Sequence, residues 1–508
     1  MRKTASLILL LLPLLIKSTA ARIGYFWHIT DIHYDVNYTS LGDPTKMCWL
    51  IRPNNGGGVV RRQPGQFGDY NCDSPWSLVK SAADFMKKKH GDNIEFVLWT
   101  GDAGSHAAND PHKLLATMQN LTDLLKHTFS SQFVFPALGH GDVIGHHHHH
   151  HAHLHGGLTA HELYKSVADM WRFWLPSEAL ASFEKGGYYT IENKGNRLRL
   201  IILNTNLYVR HSAMTNYRHP EAAASLSPGG DDDPYGQWEW LEGVLDKSLR
   251  RREFVYILGH APPGADERLL PSSPSSDSTT DGPFQEKFNK KYLHFVRRYS
   301  NIIAGQFFGH LHTDTFRVIY NELGEPVNWL MVAPSLTPWR PPSDSSNPGL
   351  RLFKYDTESG QILDYTQFYL DLAQANQKGK AEWQPEYNLT SFYGLSEVSA
   401  RSLHRLAETF RHTEDTELFE RYVRANTVSM QPAHNSYTYN NGYSSSGLVD
   451  TGGPTCDRQC QQKHYCSVTR VSYPELKRCL RDDTVWSSAG ATSHALAPLV
   501  AVAALVAR

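Results

Sequence analysis

The chain has 508 residues, and 40% of them are hydrophobic, so it is long enough for two or three domains or for one large domain with an appendage. Its formal net charge is −1 at pH 7, and the sequence shows no basic stripe. This balance argues against a nucleic-acid polymer as a main partner.

The N-terminus has the pattern of a secretory signal peptide over residues 1–21. Arg2 and Lys3 precede an apolar run at residues 5–16, and small residues follow as far as Ala21. The run is too short to span a bilayer comfortably, so a signal peptide is favoured over a membrane helix. We expect cleavage after Ala20 or Ala21 and an oxidising environment for the mature chain.

Residues 22–383 alternate β-type runs with amphipathic helical patterns and are predicted to form one catalytic domain. Short apolar runs indicate central buried strands, and the last runs, which lack intervening helices, indicate an antiparallel portion. The pattern predicts an α/β (α+β) fold in which two packed sheets are flanked by helices. The predicted helices cover residues 75–90, 111–127, 162–174, 236–251 and 286–299, and the predicted strands cover residues 24–28, 96–99, 200–203, 254–258, 302–308, 315–320, 329–333, 351–355 and 364–369.

Residues 384–485 are predicted to form a small helical region that is stapled by disulfides and packed on the catalytic domain. A helical pattern covers residues 397–426, and a polar stretch at 434–453 leads into four cysteines: Cys456, Cys460, Cys466 and Cys479. Their C-x3-C and C-x12-C spacing would also suit a zinc knuckle, but an exported chain favours disulfides. Cys48 and Cys72 form a separate local pair.

Residues 486–508 suit a GPI-attachment signal. Small residues from Ser487 to Gly490 precede a short spacer and an apolar tail at 495–507, which is short for a membrane span. A loosely held secreted tail and a membrane helix are the alternatives. Export also makes the three N-x-[ST] sequons, at Asn37, Asn120 and Asn388, candidates for glycosylation on surface loops.

Aspartate and histidine recur in four short blocks, each directly after a predicted strand. The blocks read T-D-I-H, T-G-D-A-G-S-H, G-H-A-P-P and G-H-L-H-T-D. These residue types hold divalent metal pairs, and strand ends are where α/β sheets place their ligands. Any one histidine here could be structural, but four blocks in the same context predict a two-metal phosphoester hydrolase. The candidate residues are Asp31, His33, Asp102, His106, His260, His310 and His312.

Hydrolysis of a phosphodiester requires an activated water, neutralisation of the phosphoryl charge and a proton for the leaving group. Two metal ions meet the first two requirements, and a carboxylate suits the bridging position because it has two oxygen atoms. Asp102 is the best candidate for this bridge. The pairs Asp31/His33 and His310/His312 are each two residues apart, so that both members can face one site.

With these motifs the chain resembles the acid sphingomyelinase-like phosphodiesterases, a family of calcineurin-like metallophosphoesterases. Supporting stretches include W-T-G-D at 99–102, L-N-T-N-L-Y at 203–208 and G-H-A-P-P-G at 259–264, together with the spacing of the last cysteines. The resemblance covers roughly residues 22–482. It implies the calcineurin-like sandwich of two mixed β-sheets flanked by helices.

The resemblance also implies two Zn²⁺ ions and the residues that hold them. One ion would be bound by Asp31, His33, Asp102 and His312, and the other by Asp102, His260, His310 and an asparagine. His106 would act on the leaving group. The implied disulfides are Cys48–Cys72, Cys456–Cys460 and Cys466–Cys479.

One stretch departs from the family pattern. The family carries Gly-Asn-His-Asp after its third strand, whereas this chain reads Gly139-His140-Gly141-Asp142. In an ungapped comparison His140 takes the place of the ligand asparagine, and Gly141 leaves the histidine position empty. With a slip of one residue, His140 supplies the catalytic histidine and the asparagine is missing. His140 is therefore a candidate both as a metal ligand and as a catalytic residue.

A histidine-rich run follows this stretch: eight of the 27 histidines lie within residues 146–155. An error in the deduced sequence is the favoured interpretation, because family-like residues resume at 163–175. Sequencing the transcript across codons 136–162 would then show Asn-His in place of His-Gly. The alternatives are a low-complexity loop and a metal-concentrating tract.

The sequence thus predicts a zinc-dependent extracellular phosphodiesterase, a monomer attached to the outer membrane leaflet through a GPI anchor. Its substrates would be small phosphodiesters or pyrophosphates, such as nucleotides or choline-bearing lipid head groups. The alternative is a catalytically weakened ectoprotein that binds lipid or a receptor and modulates membrane lipid or innate immune signalling. A phosphoprotein phosphatase would use the same metals, but export places the chain away from most phosphoproteins.

Overall fold

A computed structural model of the chain describes residues 22–50, 62–91, 93–107, 110–143, 158–193, 195–209, 230, 232–271, 282–340, 344–412, 415–430 and 456–482. The predicted signal peptide, the histidine-rich run, the polar stretch at 434–453 and the predicted GPI-attachment signal lie outside these residues. Among the described residues, no helix is both long and apolar enough to cross a membrane.

Two six-stranded sheets form the centre of the described chain. The first contains Ile23–Ile29 (β1), Phe96–Trp99 (β2), Phe133–Pro136 (β3), Gly349–Asp356 (β12), Ile362–Tyr369 (β13) and Gln384–Asn388 (β14). Its order is β14–β13–β12–β1–β2–β3. Strands β1, β2 and β3 run parallel, and the other neighbours are antiparallel, so the sheet is mixed.

The second sheet contains Tyr189–Asn193 (β4), Leu198–Ile202 (β5), Phe254–Leu258 (β6), Ile303–Phe308 (β7), Thr315–Tyr320 (β8) and Pro326–Val332 (β9). Its order is β4–β5–β6–β7–β9–β8, with β5, β6, β7 and β9 parallel to their neighbours in that series. A short ribbon, Trp339–Arg340 (β10) with Asp344–Ser345 (β11), follows. The two mixed sheets confirm the predicted α/β (α+β) architecture.

Helices flank the sheets, and side-chain caps set the first residue of several of them. Asp110 caps the helix that begins at Pro111, and Thr159 forms a capping box with Glu162. This box explains why the predicted helix at 162–174 begins earlier, at Ala160. In the catalytic domain the helices are Trp76–His90 (α1), Pro111–Thr128 (α2), Ala160–Trp171 (α3), Ser177–Gly186 (α4), Gln237–Arg251 (α5), Glu286–Arg298 (α6) and Leu372–Lys378 (α7).

The core lies between the sheets and beneath the helices. Phe26 of β1 packs against Phe307 of β7, with ring centroids 5.5 Å apart, so the two sheets meet face to face. On the far side of the second sheet, Trp238 of α5 stacks on Phe295 of α6. Each sheet therefore buries one face against the other sheet and one against helices.

The sheet continues past the predicted domain boundary at residue 383. Residues 384–388 were predicted to start the helical region, but they form β14, which pairs with β13. Pro385 weakens the strand pattern there, and an edge strand tolerates proline because one side needs no partner. The helical region therefore begins after Asn388.

The C-terminal helices pack on the catalytic domain, as the sequence predicts. The helix Arg458–Thr469 contacts β8, and the helix Ala400–Thr409 contacts β9. The structure forms the three disulfides that the family resemblance implies: Cys48–Cys72, Cys456–Cys460 and Cys466–Cys479. The helices of this region are Leu389–Tyr393 (α8), Ala400–Thr409 (α9), Glu417–Asn426 (α10), Arg458–Thr469 (α11) and Tyr473–Arg481 (α12).

Candidate metal centre

Loops at the carboxyl ends of parallel strands bring the predicted metal ligands together. The backbone N–H of His310 donates to both oxygen atoms of Asp31, at 3.2 and 2.9 Å, and this bond joins the two sheets. The Nδ1 of His260 donates to the carbonyl of Thr100 at 2.8 Å and joins them again. The residues are Asp31 and His33 after β1, Asp102 after β2, His260 after β6, and His310 and His312 after β7.

The backbone turns sharply at most of these positions. The left-handed φ angles are 49° at Asp31, 44° at His33, 57° at Asp102, 70° at His310 and 52° at His312. This conformation costs free energy in a residue that has a Cβ, and it persists only where the surroundings hold it. We infer that the fold uses this strain to turn the ligand side chains towards one point.

A first group of ligands surrounds Asp31. The Nε2 of His312 lies 3.3 Å from Asp31 Oδ1, and the Nε2 of His33 lies 3.9 Å from the same oxygen. His33 Nε2 is also 3.4 Å from Asp102 Oδ2. All four side chains are buried, so their donor atoms are available to one another or to a cation rather than to bulk water.

A second group shares Asp102 with the first. His260 Nε2 lies 3.1 Å from Asp102 Oδ2 and 3.1 Å from His310 Nδ1. The ligand atoms of Asp102, His260 and His310 all lie within 4.8 Å of one another, as do those of Asp31, His33 and Asp102. Asp102 therefore stands between two clusters of donors, the position predicted for a bridging carboxylate.

Backbone carbonyls fix the ring orientation of three of these histidines. The Nδ1 of His33 lies 2.9 Å from the carbonyl oxygen of Gly104, and that of His260 lies 2.8 Å from the carbonyl oxygen of Thr100. The Nδ1 of His312 lies 2.9 Å from the carbonyl oxygen of Trp339. Because a carbonyl can only accept, each Nδ1 carries the proton. The Nε2 of each ring is left to face the cluster, which is the usual outer arrangement of a metal-binding histidine.

The electrostatics of the cluster suit a cation. Burial would raise the pKa of Asp102, but the facing His260 and His33 hold it well below its usual range. Burial lowers the pKa of His310, and His260 and His140 lower it further. Burial opposes protonation of His260, yet Asp102 raises its pKa to about 9. A cation would therefore displace protons from the cluster, which makes its affinity depend on pH.

His106 lies beside the first group and forms a pair with Asp73. Its ring stacks on His33 with centroids 3.8 Å apart. Its Nδ1 lies 2.9 Å from Asp73 Oδ1, and its backbone N–H donates to Asp73 Oδ2 at 2.8 Å. Burial would raise the pKa of Asp73, but His106 outweighs it and lowers that pKa to about 2. The ionised carboxylate thus orients the imidazole.

The atypical loop at 139–142 closes over the second group. Asp142 accepts backbone N–H bonds from Asp102, Ala103 and Gly139 at 3.0, 2.8 and 2.7 Å. The ring of His140 lies 5.8 Å from the ring of His310. His140 thus stands on the side of the second group, as in the ungapped comparison with the family.

Gly141 follows His140 and, in the ungapped comparison, takes the position of the family's histidine. Its backbone N–H donates to Asp102 Oδ1 at 2.6 Å. A Cβ added at Gly141 would come no closer than 3.4 Å to this carboxylate, an ordinary contact. The loop therefore has space for a Cβ atom at position 141, where this chain has glycine.

Sequence reasoning missed three residues that shape the site. Asp73 carries no motif of its own, although it directly follows Cys72 of a predicted local pair. Asp142 was seen only as the end of an atypical motif, and its three backbone acceptor bonds are not readable from sequence. The carbonyl of Trp339 orients His312, a contact that no local pattern in the sequence indicates.

The remaining predicted sites lie away from the centre. The sequon asparagines Asn37, Asn120 and Asn388 are exposed. Only Asn37 lies on a loop; Asn120 lies on α2 and Asn388 ends β14, so the prediction of surface loops was wrong for these two. Helix α2 keeps one polar face towards solvent, which is why Asn120 is exposed, whereas Thr122 of the same sequon is buried.

Comparison with known proteins points to one family. Residues 325–486 match the model of the acid sphingomyelin phosphodiesterase C-terminal region. The chain is 36% identical over 476 residues to a cyclic GMP-AMP phosphodiesterase of Bos taurus, covering 92% of this chain and 93% of that protein. It is 33% identical over 470 residues to acid sphingomyelinase-like phosphodiesterase 3b of Homo sapiens, covering 91% and 90%. Among solved structures, a dimetal phosphatase from Danio rerio matches 68% of this chain and 95% of its own, with 13% identity and a TM-score of 0.34.

Proposed function

The chain belongs to the acid sphingomyelinase-like phosphodiesterases, and on this premise we propose that it is a zinc-dependent hydrolase of small phosphodiesters. The observation that carries the proposal is the shared position of Asp102 between two groups of ligand atoms. Asp31, His33 and His312 complete one group, and His260 and His310 complete the other. This is the donor arrangement that a pair of divalent ions requires.

The residues fit zinc better than a harder cation. The donors are imidazole nitrogens and carboxylate oxygens in a buried cluster, whereas Mg²⁺ and Ca²⁺ favour oxygen ligands alone. His33, His260 and His312 each bond a backbone carbonyl through Nδ1, so Nε2 is the ring atom that would bind a cation once its proton is displaced. His140, beside His310, is the residue we propose in place of the family's ligand asparagine.

The protein's own groups would divide the remaining work. When bound, the metal pair supplies an activated water and neutralises charge on the phosphoryl oxygens. His106 would hold a proton for the departing oxygen, since Asp73 orients its ring through Nδ1 and the ring lies beside those of His33 and His312. The side chain of His106 is 25% exposed, so a substrate can reach it from solvent.

The relatives suggest the substrate class. One relative is named as a cyclic GMP-AMP phosphodiesterase and another as a sphingomyelin phosphodiesterase. We propose that this chain also acts on a phosphodiester or pyrophosphate that contains a nucleotide or a choline-bearing head group. The indole of Trp339, 4.7 Å from the ring of His106, is placed to contact that group.

We further propose that the chain acts at the outer cell surface. The support is the signal-like N-terminus, the exposed asparagines of the three sequons, and the small residues and apolar tail that suit a GPI signal. Phosphatidylinositol-specific phospholipase C should release the protein from expressing cells. A protein that stays on the membrane after this treatment would contradict the anchor.

One observation favours a second function. Gly141 supplies no side chain where the family has histidine, and the loss of such a group typically lowers the rate about 10²–10⁴-fold. A weakened enzyme could act instead by binding lipid or a receptor and modulating membrane lipid or innate immune signalling.

A substrate panel tests both ideas. Purified protein would be assayed with a cyclic dinucleotide, a nucleotide pyrophosphate and sphingomyelin vesicles, beside the His106→Ala variant. Turnover of one substrate that His106→Ala loses would support the enzyme. A zinc-loaded protein that turns over none of them, yet binds one with measurable affinity, would favour the binding function.

A further inference from the structure

We propose that Asn426, the last residue of α10, is a positioning residue for the metal centre, through which the C-terminal helical region holds the His310–His312 segment in place. The inference rests on the proposed function and adds a residue to its site. Asn426 is 4% exposed, so the bonds of its amide are not exchanged for bonds to solvent.

Asn426 first contacts the chain just beyond His312. Its Nδ2 donates to the carbonyl of Asp314 at 3.3 Å, and the N–H of Asp314 donates to the carbonyl of Asn426 at 3.4 Å. The two residues therefore pair through backbone and side chain. This pairing fixes the end of the G-H-L-H-T-D block, two residues after a predicted ligand.

A second route leads from Asn426 to the middle of the same block. Its Nδ2 also donates to Glu267 Oε1 at 3.1 Å, and Glu267 is 3% exposed. The next residue, Arg268, donates from Nη2 to the carbonyl of Leu311 at 2.9 Å. Leu311 lies between His310 and His312, so this route reaches the turn that separates the two ligands.

A third route passes through the β10–β11 ribbon. Arg340 Nη2 makes a long contact, 3.5 Å, with Asn426 Oδ1. Its neighbour Trp339 accepts the Nδ1 proton of His312 at 2.9 Å. The side-chain amide of Asn426 therefore contacts three segments that meet around His312. Its Nδ2 donates to two of them, and its Oδ1 accepts from the third.

The contacts of Asn426 are important because the backbone of the His310–His312 segment is strained. His310 and His312 have φ angles of 70° and 52°, and such a backbone persists only where its surroundings over-determine it. The β7–β8 loop has no regular structure of its own between Phe308 and Thr315. A buried amide that ties three loops together supplies that constraint.

Substitution of Asn426 by alanine separates positioning from packing, with Gln461→Ala as the matched control. Gln461 is also a buried amide of the C-terminal region, but its Nε2 donates to the carbonyl of His412 within that region. Both variants of the full chain would be secreted, freed of metal and titrated with zinc against a competing chelator. Thermal unfolding and steady-state kinetics would be measured on the same samples.

We expect both variants to unfold at lower temperature, and only Asn426→Ala to bind zinc about tenfold more weakly, the lower end of what the loss of an outer hydrogen-bonding partner costs. In Asn426→Ala kcat should fall while KM changes little. Asn426→Ser keeps one hydroxyl donor, so its zinc affinity and kcat should lie between those of the wild type and of Asn426→Ala. If the alanine variant does not fold, the serine variant tests the positioning role in its place.

Two results would count against the inference in different ways. Equal zinc affinity in the wild type, Gln461→Ala and both Asn426 variants would overturn the positioning role while leaving the proposed function intact. A wild-type protein that binds no zinc would overturn the proposed function and this inference together. Zinc binding without turnover would still test the inference, because the affinity difference does not depend on catalysis.

Discussion

His260 and Asp102 meet across the two sheets, with His260 Nε2 3.1 Å from Asp102 Oδ2. His260 follows β6 of the second sheet, and Asp102 follows β2 of the first. Neither side chain could reach the other unless the sheets packed face to face. The contact therefore makes the candidate metal centre a property of the whole sandwich rather than of one motif.

Asp102→Asn should abolish hydrolysis and weaken zinc binding by more than about 100-fold. Even the loss of a residue that only hydrogen-bonds to a metal ligand lowers metal affinity about 10–100-fold. An amide retains one oxygen but cannot bridge two cations with two anionic oxygens. Zinc titration and turnover would be compared with Asp110→Asn, a substitution at a helix cap that asparagine fills equally well. Two zinc ions bound normally to Asp102→Asn would contradict the bridging role.

Asp73→Asn should lower kcat about 10²-fold while KM changes little. The carboxylate that holds the Nδ1 and the backbone N–H of His106 is lost, so the imidazole is no longer fixed in one orientation. The measurement is steady-state kinetics of the wild type and the variant under the same conditions.

The same substitution in a His106→Ala background provides the control. If Asp73 acts through His106, it should have little further effect there. An additive loss in the double variant would show that Asp73 serves the site by another route.

Gly141→His should increase turnover, up to about 10²-fold, because it restores an imidazole where the family carries one. The Cβ position is 3.4 Å from Asp102 Oδ1, so the backbone accepts a side chain there. Gly141→Ala is the matched control and should leave turnover unchanged. A histidine variant that is no faster than the alanine variant would mean that His140 or another group already fills the role.

Glu386→Gln should flatten the dependence of stability on pH. Burial raises the pKa of Glu386 from 4.5 to about 8, with Asp314 adding to the effect and Ser429 opposing it. The folded state therefore holds a proton that the unfolded chain releases, so its stabilising effect is full below the unfolded pKa and is lost as pH rises towards 8.

Chemical unfolding at several pH values between 4 and about 8.5 checks this expectation. The wild type should lose stability across this window more steeply than Glu386→Gln. Glu397→Gln, at an exposed position of the same region, should behave like the wild type. Parallel curves for the wild type and Glu386→Gln would contradict a protonated Glu386.

The sequence predicted the centre of the site because its ligands lie close to strand ends. The blocks around Asp31, Asp102, His260 and His310 each combine an apolar run, a turn and a ligand within a few residues, so local pattern and parallel topology suffice. The strands Phe96–Trp99, Phe254–Leu258 and Thr315–Tyr320 were predicted with their observed bounds for the same reason.

The outer parts of the site could not be predicted, since they depend on contacts between distant segments. Asp73 reaches His106 from a loop 33 residues earlier, beside a disulfide. Asn426 reaches Asp314 across 112 residues. Such hydrogen bonds produce no periodic pattern in the sequence. One polar residue in a loop has many possible partners, so its actual partner cannot be predicted. Strand β14 was missed for a local reason, the proline at its second position.

The most direct test of the account is a count of metal ions against turnover in one preparation. The purified protein would be analysed for zinc and assayed with a bis-aryl phosphodiester, then freed of metal by a chelator and reconstituted with zinc. We expect two zinc ions per chain, loss of turnover on chelation and recovery with the second ion. Full turnover in metal-free protein, or a site that holds no zinc, would contradict a two-zinc phosphodiesterase.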